Sequence, residues 1–235
     1  MIVINGLSAS YVSRSFGFLG KREIRPVLKG VSLEIAGGEI FGLAGESGCG
    51  KSTLARCILG LIDYEGEIVI DGVRQESGRH SHGCAQAQMV FQDPGASLNP
   101  AKKIGWLLEE PLVIHRLGDR EQRSRRIDEM LERVGLDPVL RGRRASELSG
   151  GQKQRVCIGR ALMLNPKILI ADEATSSLDV SAGAQILNLF RELRDSLGLT
   201  ILFISHNMDA AEYLCDRIAV MKAGGLAVRP LQIGN

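Results

Sequence analysis

The octet Gly45-Glu46-Ser47-Gly48-Cys49-Gly50-Lys51-Ser52 fits G-x-x-x-x-G-K-[ST] and runs on into Thr53. Glycines at such a turn let backbone N–H groups curl around phosphate oxygens, and a helix opening at the end of the loop adds the partial positive charge of its N-terminus. Lys51 can neutralise the outer phosphates of a polyphosphate, and the Ser52 hydroxyl can ligate Mg²⁺. Further along stand Gln92, the pair Asp172-Glu173, and His206. A carboxylate pair can hold a cation and activate water, and an imidazole beside it can contact a phosphate. Each has a plainer reading when taken singly: the carboxylates could cap a helix, and the histidine could be structural.

The surrounding elements give these residues a common address. Residues 40–43 read as a short buried strand, and residues 52–60 as a helix with Leu54, Cys57, Ile58 and Leu61 on one face. Residues 1–4 and 27–35 read as strands, the second with Val27, Val31, Leu33 and Ile35 on one face; the span 11–26 between them is too long for a tight hairpin. Residues 66–72 read as a strand closed by the turn pair Asp71-Gly72, and residues 88–92 as another strand beyond a polar loop at 74–86. From Asp93 to about Leu148 the texture is loop and helix, clearest at 120–134, where Ile127, Met130, Leu131 and Val134 make one face and Gly135 can end the helix. Ser149-x-x-Gln152 is a capping box that opens a further helix, reaching about Leu164. Residues 168–171 and 200–204 are apolar throughout, with a helical stretch (Ile186, Leu189, Phe190, Leu193) between them, which indicates a buried parallel sheet. In an open parallel sheet ligands sit beyond the carboxyl ends of the strands. The glycine loop, Gln92, Asp172-Glu173 and His206 all follow such ends.

At 235 residues the chain fits one α/β domain with a large core. Its 29 Lys plus Arg nearly balance 27 Asp plus Glu, so charge makes no general case for nucleic acid, and the basic clusters at 120–126 and 141–144 read as solvated faces. No apolar run approaches the ~18–20 residues that cross a bilayer, and the start of the chain reads as a strand rather than a signal peptide. The five cysteines are scattered without a C-x-x-C pair and read as reduced thiols packed as small apolar residues. His80, His82 and Cys84 read as part of a polar surface loop and receive no function.

Over nearly its whole length the chain resembles the ATP-binding subunits of ABC transporters. The diagnostic stretch is the signature Leu148-Ser149-Gly150-Gly151-Gln152, which other P-loop ATPases lack. Residues 45–52 match the Walker A motif, residues 168–172 the Walker B motif with Glu173 after it, Gln92 the Q-loop, Ser177-Leu178-Asp179 the D-loop, and His206 the H-loop. Tyr11 falls where the family stacks an aromatic on adenine; on sequence alone it could equally be a core aromatic at a strand end. Residues 45–51, 89–94 and 96–100 are similar to the peptide and nickel importer branch, and the short stretch after Gly224-Gly225 is more like its nickel or metal-chelate subunits.

The resemblance implies an α/β fold: a P-loop NTPase (RecA-like) core with a mostly parallel sheet, an N-terminal antiparallel β subdomain and an inserted α-helical subdomain. It implies one ABC ATPase domain over 1–235, with the core and β subdomain at 1–92 and 162–235 and the signature-bearing helices at 93–161. It implies ATP hydrolysis with Mg²⁺ held by Ser52, Gln92 and Asp172. Glu173 would activate water, His206 and Gln92 would assist, and residues 45–53 would hold the phosphates. Ser149, Gly150, Gly151 and Gln152, with Asp179, would face the ATP of a second ATP-binding subunit, expected to be a different chain. The other partners implied are transmembrane permease subunits and, indirectly, an extracytoplasmic solute-binding protein, with no nucleic acid. The chain would lie peripherally on the cytoplasmic side of the inner membrane and drive uptake of a peptide, nickel or a metal chelate. Trp106, Leu107 and Leu108 are open to two uses: permease contact or packing within the helices. A soluble ABC ATPase without a transport role is the alternative, but it would bring a second cassette or a long coiled coil.

Overall fold

The computed structural model describes residues 1–14, 22–77 and 86–227. Its strands form two sheets. Strands β1 (Ile2–Arg14), β2 (Arg22–Ile35), β4 (Glu65–Ile70) and β5 (Val73–Arg74) make an antiparallel sheet in the order β2-β1-β4-β5. Strands β3 (Ile40–Ala44), β6 (Ala87–Val90), β7 (Ile168–Asp172), β8 (Thr200–Ser205), β9 (Arg217–Lys222) and β10 (Gly225–Ala227) make the other, in the order β10-β9-β3-β8-β7-β6. All of its neighbours pair in parallel except the β9–β10 hairpin.

The apolar runs of β3, β7 and β8 are explained by what covers them, since each is buried at every position. Successive side chains point to opposite faces of a sheet. Ile40, Leu169, Ala171, Ile201 and Phe203 therefore enter one core, shared with the helices. Phe41, Leu43, Ile168, Ile170, Leu202 and Ile204 enter a second core, shared with the antiparallel sheet and with helix α1 (Lys51–Ile58). A sheet sandwiched in this way has no polar face, which is why its strands read as continuous rather than alternating.

Between β6 and β7 the chain is helical: α2 (Pro94–Ser97), α3 (Ile104–Ile114), α4 (Arg120–Arg133) and α5 (Gly150–Leu162). Ile127, Met130, Leu131 and Val134 are all buried, as the spacing predicts, and Gly135 follows in the left-handed region at φ 70°. Asp119 and Gln122 form a reciprocal capping box at the start of α4, and Ser149 and Gln152 form the expected one at the start of α5. Helix α6 (Val180–Leu197) connects β7 to β8, and α7 (Met208–Leu214) connects β8 to β9. No helix among the described residues is long and apolar enough to cross a membrane.

Four local expectations change. The N-terminal strands are longer than the pattern suggests, so Tyr11, Arg25 and Pro26 lie on paired strands, Tyr11 opposite Arg25; residues 15–21 of that span fall outside the described residues. On β2 the inward face shifts from Val27 to Leu28, because Gly30 turns left-handed at φ 62° and a bulge moves the register between Leu7↔Val31 and Ala9↔Leu28. Helix α1 stops at Ile58, leaving Leu61 44% exposed beyond its end. Strand β6 stops at Val90, which frees Phe91 and Gln92 from the sheet. The Asp71-Gly72 turn is as expected, with both residues at positive φ (49° and 79°), the primed geometry that matches strand twist. Of the 74–86 loop, and of His80, His82 and Cys84 within it, residues 78–85 lie outside the described residues.

Phe190 of α6 and Phe203 of β8 are fully buried and meet edge to face with centroids 6.3 Å apart, joining the helical layer to the central strand. Phe190→Ala removes one ring from a close-packed site and is expected to destabilise the protein by about 3–5 kcal/mol, measured by urea unfolding. A loss below about 1 kcal/mol would mean that this contact does not anchor α6 to the sheet.

Candidate functional site

The loop after β3 is shaped by glycine geometry. Gly45, Gly48 and Gly50 have φ of 149°, 78° and 116°, which L side chains rarely adopt. Space is also lacking: a Cβ on Gly45 would stand 2.4 Å from the Met221 carbonyl oxygen, and one on Gly50 2.9 Å from Leu28 Cδ2. The loop is thereby seated against β9 and β2. The turn between β9 and β10 clasps it, with Gly224 N–H donating to the Cys49 carbonyl (3.1 Å) and Lys29 N–H donating to the Gly224 carbonyl (2.9 Å). A Cβ on Gly224 would approach the Val27 carbonyl oxygen to 2.2 Å. Helix α1 opens directly from Gly50 with no side-chain cap and no acidic residue in its first turn. Its first N–H groups and its positive dipole end therefore face outward with no side-chain acceptor competing for them.

Lys51 is only 5% exposed and donates to the carbonyls of Gly45 (2.7 Å) and Glu46 (2.8 Å). An ammonium held in the loop by two neutral carbonyls is placed to meet an anion there with a charge-assisted hydrogen bond. Ser47, Gly48, Cys49, Gly50, Lys51, Ser52 and Thr53 line a cleft of about 760 Å³ together with Tyr11, Gln92 and Glu173. That volume suits a nucleotide-sized ligand. Tyr11 is 39% exposed at the cleft edge, with its hydroxyl 3.4 Å from an Arg56 nitrogen and 3.5 Å from Thr53 Oγ1. It lies outside both buried cores, which removes the alternative of a core aromatic.

Asp172 ends β7 and is 9% exposed, and its Oδ1 is fully buried with no hydrogen-bond partner. Burial raises its carboxyl above the ordinary carboxylate range; a hydrogen bond from Ser52 opposes this, the Glu173 charge adds to it, and Lys51 and Arg56 pull the other way. An orphaned buried carboxylate oxygen beside a serine hydroxyl is a hard-oxygen pair suited to Mg²⁺. Glu173, the next residue, sits at φ 50°, a strained backbone for a non-glycine residue. Its N–H donates to the Ile204 carbonyl (2.9 Å), and its carbonyl accepts from Ser176 N–H (3.1 Å) and Ser176 Oγ (2.9 Å). The strain turns the Glu173 side chain towards the cleft, where His206 Nδ1, from the end of β8, stands 3.3 Å from Glu173 Oε1. The imidazole itself is 58% exposed.

The other expected residues lie elsewhere. Ser149, Gly150, Gly151, Gln152 and Asp179 line a second cleft of about 520 Å³, which shares no residue with the first. There Gln152 N–H donates to Ser149 Oγ (3.3 Å), and Ala182 N–H donates to Asp179 Oδ1 (2.8 Å), so Asp179 caps α6. Leu107 and Leu108 are core residues at 2% and 0% exposure, leaving Trp106, 43% exposed, as the accessible member of that trio. Sequence reasoning missed Arg25, Lys29 and Gly224 in the first cleft. The only sequence signal was the turn-forming pair Gly224-Gly225, and nothing local indicated that this turn meets the glycine loop.

These features define the class: the chain belongs to the ABC transporter family, whose model matches residues 28–176. Among individual relatives, it is 44% identical over 230 residues to the glutathione import ATP-binding protein GsiA of Pectobacterium atrosepticum, an alignment covering 95% of this chain and 37% of that protein. The chain thus spans well under half the length of that relative. It is also 44% identical over 228 residues to a putative peptide import ATP-binding protein of Brucella ovis, covering 95% of this chain and 70% of the relative. The fold superposes on the dimeric ATP-binding cassette MJ0796, bound to ADP and Pi in a post-hydrolysis state, with a TM-score of 0.83, 30% identity and full coverage of both chains. It likewise matches cbiO1 of Clostridium perfringens, part of an ABC transporter complex, with a TM-score of 0.82, 29% identity, and 97% and 87% coverage. The antiparallel sheet, mostly parallel core sheet and inserted helices are those of this class.

The Asp172 environment gives a pH-dependent expectation. A carboxyl whose folded-state value is raised costs nothing below its ordinary value of about 3.9, and costs stability progressively as pH rises through the raised one. Asp172→Asn removes that cost, so at neutral pH and without nucleotide or metal the variant is expected to melt above wild type, with the gap closing as the pH is lowered. Added Mg²⁺ and ATP should then stabilise wild type more than the variant. Thermal melts at several pH values check both, and a variant that melts below wild type at neutral pH would overturn the assignment.

Proposed function

We propose that this chain is the ATP-hydrolysing subunit of an ABC importer, coupling ATP binding and hydrolysis between two subunits to uptake of a small peptide-like solute. The observation that carries the reading is the meeting of Lys51, Ser52 and Glu173, from the ends of β3 and β7, at one cleft, with Asp172 hydrogen-bonded to Ser52 beside it, while the signature residues line another. Neither cleft contains both sets of groups, which supports a site completed by a second subunit. The names of the relatives, glutathione import and peptide import, favour a peptide-like solute over nickel.

In this reading the amides of residues 45–53 and Lys51 hold the β- and γ-phosphates, and Tyr11 stacks on the adenine. Ser52, Asp172 and Gln92 would hold Mg²⁺, which when bound neutralises charge on the phosphate oxygens. Glu173 accepts a proton from the water whose oxygen forms the new bond to the γ-phosphorus, as the bond from that phosphorus to the ADP oxygen breaks. His206, 3.3 Å from that carboxylate, fixes its direction. Retention of both Glu173 and His206 favours turnover over a binding-only subunit. The helices at 93–161 act as a signature-bearing subdomain on a core made of 1–92 and 162–235, within one domain. The permease docks beside Gln92, where a groove of about 270 Å³ lined by Phe91, Ile114 and Arg160 opens between the end of β6 and the helices. The chain then works on the cytoplasmic face of the inner membrane, with a second, different ATPase subunit and, indirectly, an extracytoplasmic binding protein.

Glu173→Gln keeps size and hydrogen bonding but removes the base. Phosphate release by the assembled transporter should fall by roughly 10²–10⁴-fold while Mg-ATP still binds. Turnover near wild type would refute the role. Ser149→Arg places a bulky cation at the mouth of α5. It should abolish turnover at the partner's site and leave ATP binding to this chain's own loop nearly unchanged, measured by calorimetry on the isolated chain. Loss of its own binding would mean that the signature acts within one subunit.

A further inference from the structure

The cleft at the signature residues is walled by the first turns of α5 and α6, and those helices run side by side from their N-termini. A Cβ on Gly150 would stand 3.4 Å from Leu178 Cδ2, and one on Gly151 3.4 Å from Ala182 Cβ. The two ends carry like partial charge and so repel, and the residues that open both helices line the same cleft. Glycine offers no side chain to interlock with the neighbouring helix, so contact there limits the approach of the helices without fixing their separation.

One turn further along each helix a polar tie appears. Arg155 Nη2 donates to Gln185 Oε1 of α6 at 3.4 Å, and Arg155 Nη1 donates to the Val134 carbonyl at 2.7 Å, at the C-terminal cap of α4. One guanidinium thus joins three helices, which needs the planar fork of donors that arginine has and lysine lacks. Gly135 leaves room for it, since a Cβ there would stand 2.6 Å from Arg155 Nη1. Arg155 and Asp179 are the charged side chains lining this cleft, and Asp179 is already engaged as the α6 cap.

We propose that Arg155 is a positioning residue that ties α5 to α6 and so sets the separation of the two helix N-termini presented to a partner's ATP. This rests on the reading that the signature cleft meets the nucleotide of a second cassette. The groups it would present are the first-turn backbone amides that the Ser149 and Asp179 caps do not take up, those of Gly150, Gly151, Val180 and Ser181. Displacing such donors by a fraction of an ångström weakens their interaction with developing charge more than it weakens ground-state binding, so kcat falls further than KM changes.

The test uses the assembled transporter, with its permease and second ATPase, and three variants. Arg155→Met is expected to lower kcat on the order of 10²-fold, the scale for a misplaced site. Gln185→Ala, an exposed substitution that leaves the Val134 tie in place, should lower kcat by a smaller factor without moving the melting temperature. Gln185→Glu, which keeps an acceptor, should recover what Gln185→Ala loses. The double variant Arg155→Met with Gln185→Ala should be no slower than Arg155→Met alone, and the isolated chain's own ATP affinity should hold in all of them. Wild-type turnover in Gln185→Ala, or a double variant whose losses multiply, would overturn the proposal and leave Arg155 as a tie for α4 alone. Ser149→Arg serves as the control: if it leaves turnover intact, the paired-cassette reading itself fails, whereas a dead control with silent Gln185 variants sinks only the role of Arg155.

Discussion

The constraint on which the rest of this molecule depends is the absence of room at Gly45. The phosphate loop leaves β3 over the backbone of β9, and a single methyl group at that position would collide with the Met221 carbonyl oxygen at 2.4 Å. Packing that leaves no room for a side chain seats the loop directly on β9. It also commits β9 to a place beside β3, and the turn that follows β9 to a clasp on the Cys49 carbonyl. Preorganised backbone donors are what a multiply charged ligand needs, because no binding energy is then spent on ordering the loop.

From that seat the other groups are placed by the sheet. The parallel register β3-β8-β7-β6 brings four strand ends to one edge, so that the glycine loop, Gln92 and Glu173 line one cleft and His206 stands beside Glu173, though they are far apart in the chain. The strain at Glu173 belongs to the same scheme. A glutamate held at φ 50° is tolerated because the Ile204 carbonyl and Ser176 fix its backbone on both sides. Strain supported in this way directs a carboxylate that would otherwise follow the strand out of the site. The unpartnered Asp172 oxygen beside it is a second unfavourable feature, of the kind that a bound cation would relieve.

The helical insertion answers a different need. Its buried face (Leu108, Ile127, Leu131, Val134, Ile158) shares a core with the sheet, which lets α5 carry the signature to a surface separate from the phosphate loop. Within the chain the two clefts share no residue, the arrangement on which the proposed pairing of two cassettes rests.

Much of this was legible in the residues themselves. The glycine loop, the continuous apolar strands, the capping box at Ser149 and the amphipathic face of α4 are local, because periodicity, turn chemistry and side-chain capping act over a few residues. Those patterns determined the fold class and the candidates for phosphate, metal and water chemistry. The tertiary structure alone decided what depends on distant neighbours. The bulge at Gly30 moved the inward face from Val27 to Leu28, and pairing extended β1 far enough to bring Tyr11 to the cleft rather than the core. Leu107 and Leu108 became core while Trp106 stayed at the surface. The meeting of Gly224 with Cys49, and of Arg155 with Val134 and Gln185, joins positions tens to nearly two hundred residues apart, and no short-range pattern encodes such contacts. They exist because strand order and helix packing, set by burial over the whole chain, leave those groups at hydrogen-bonding distance.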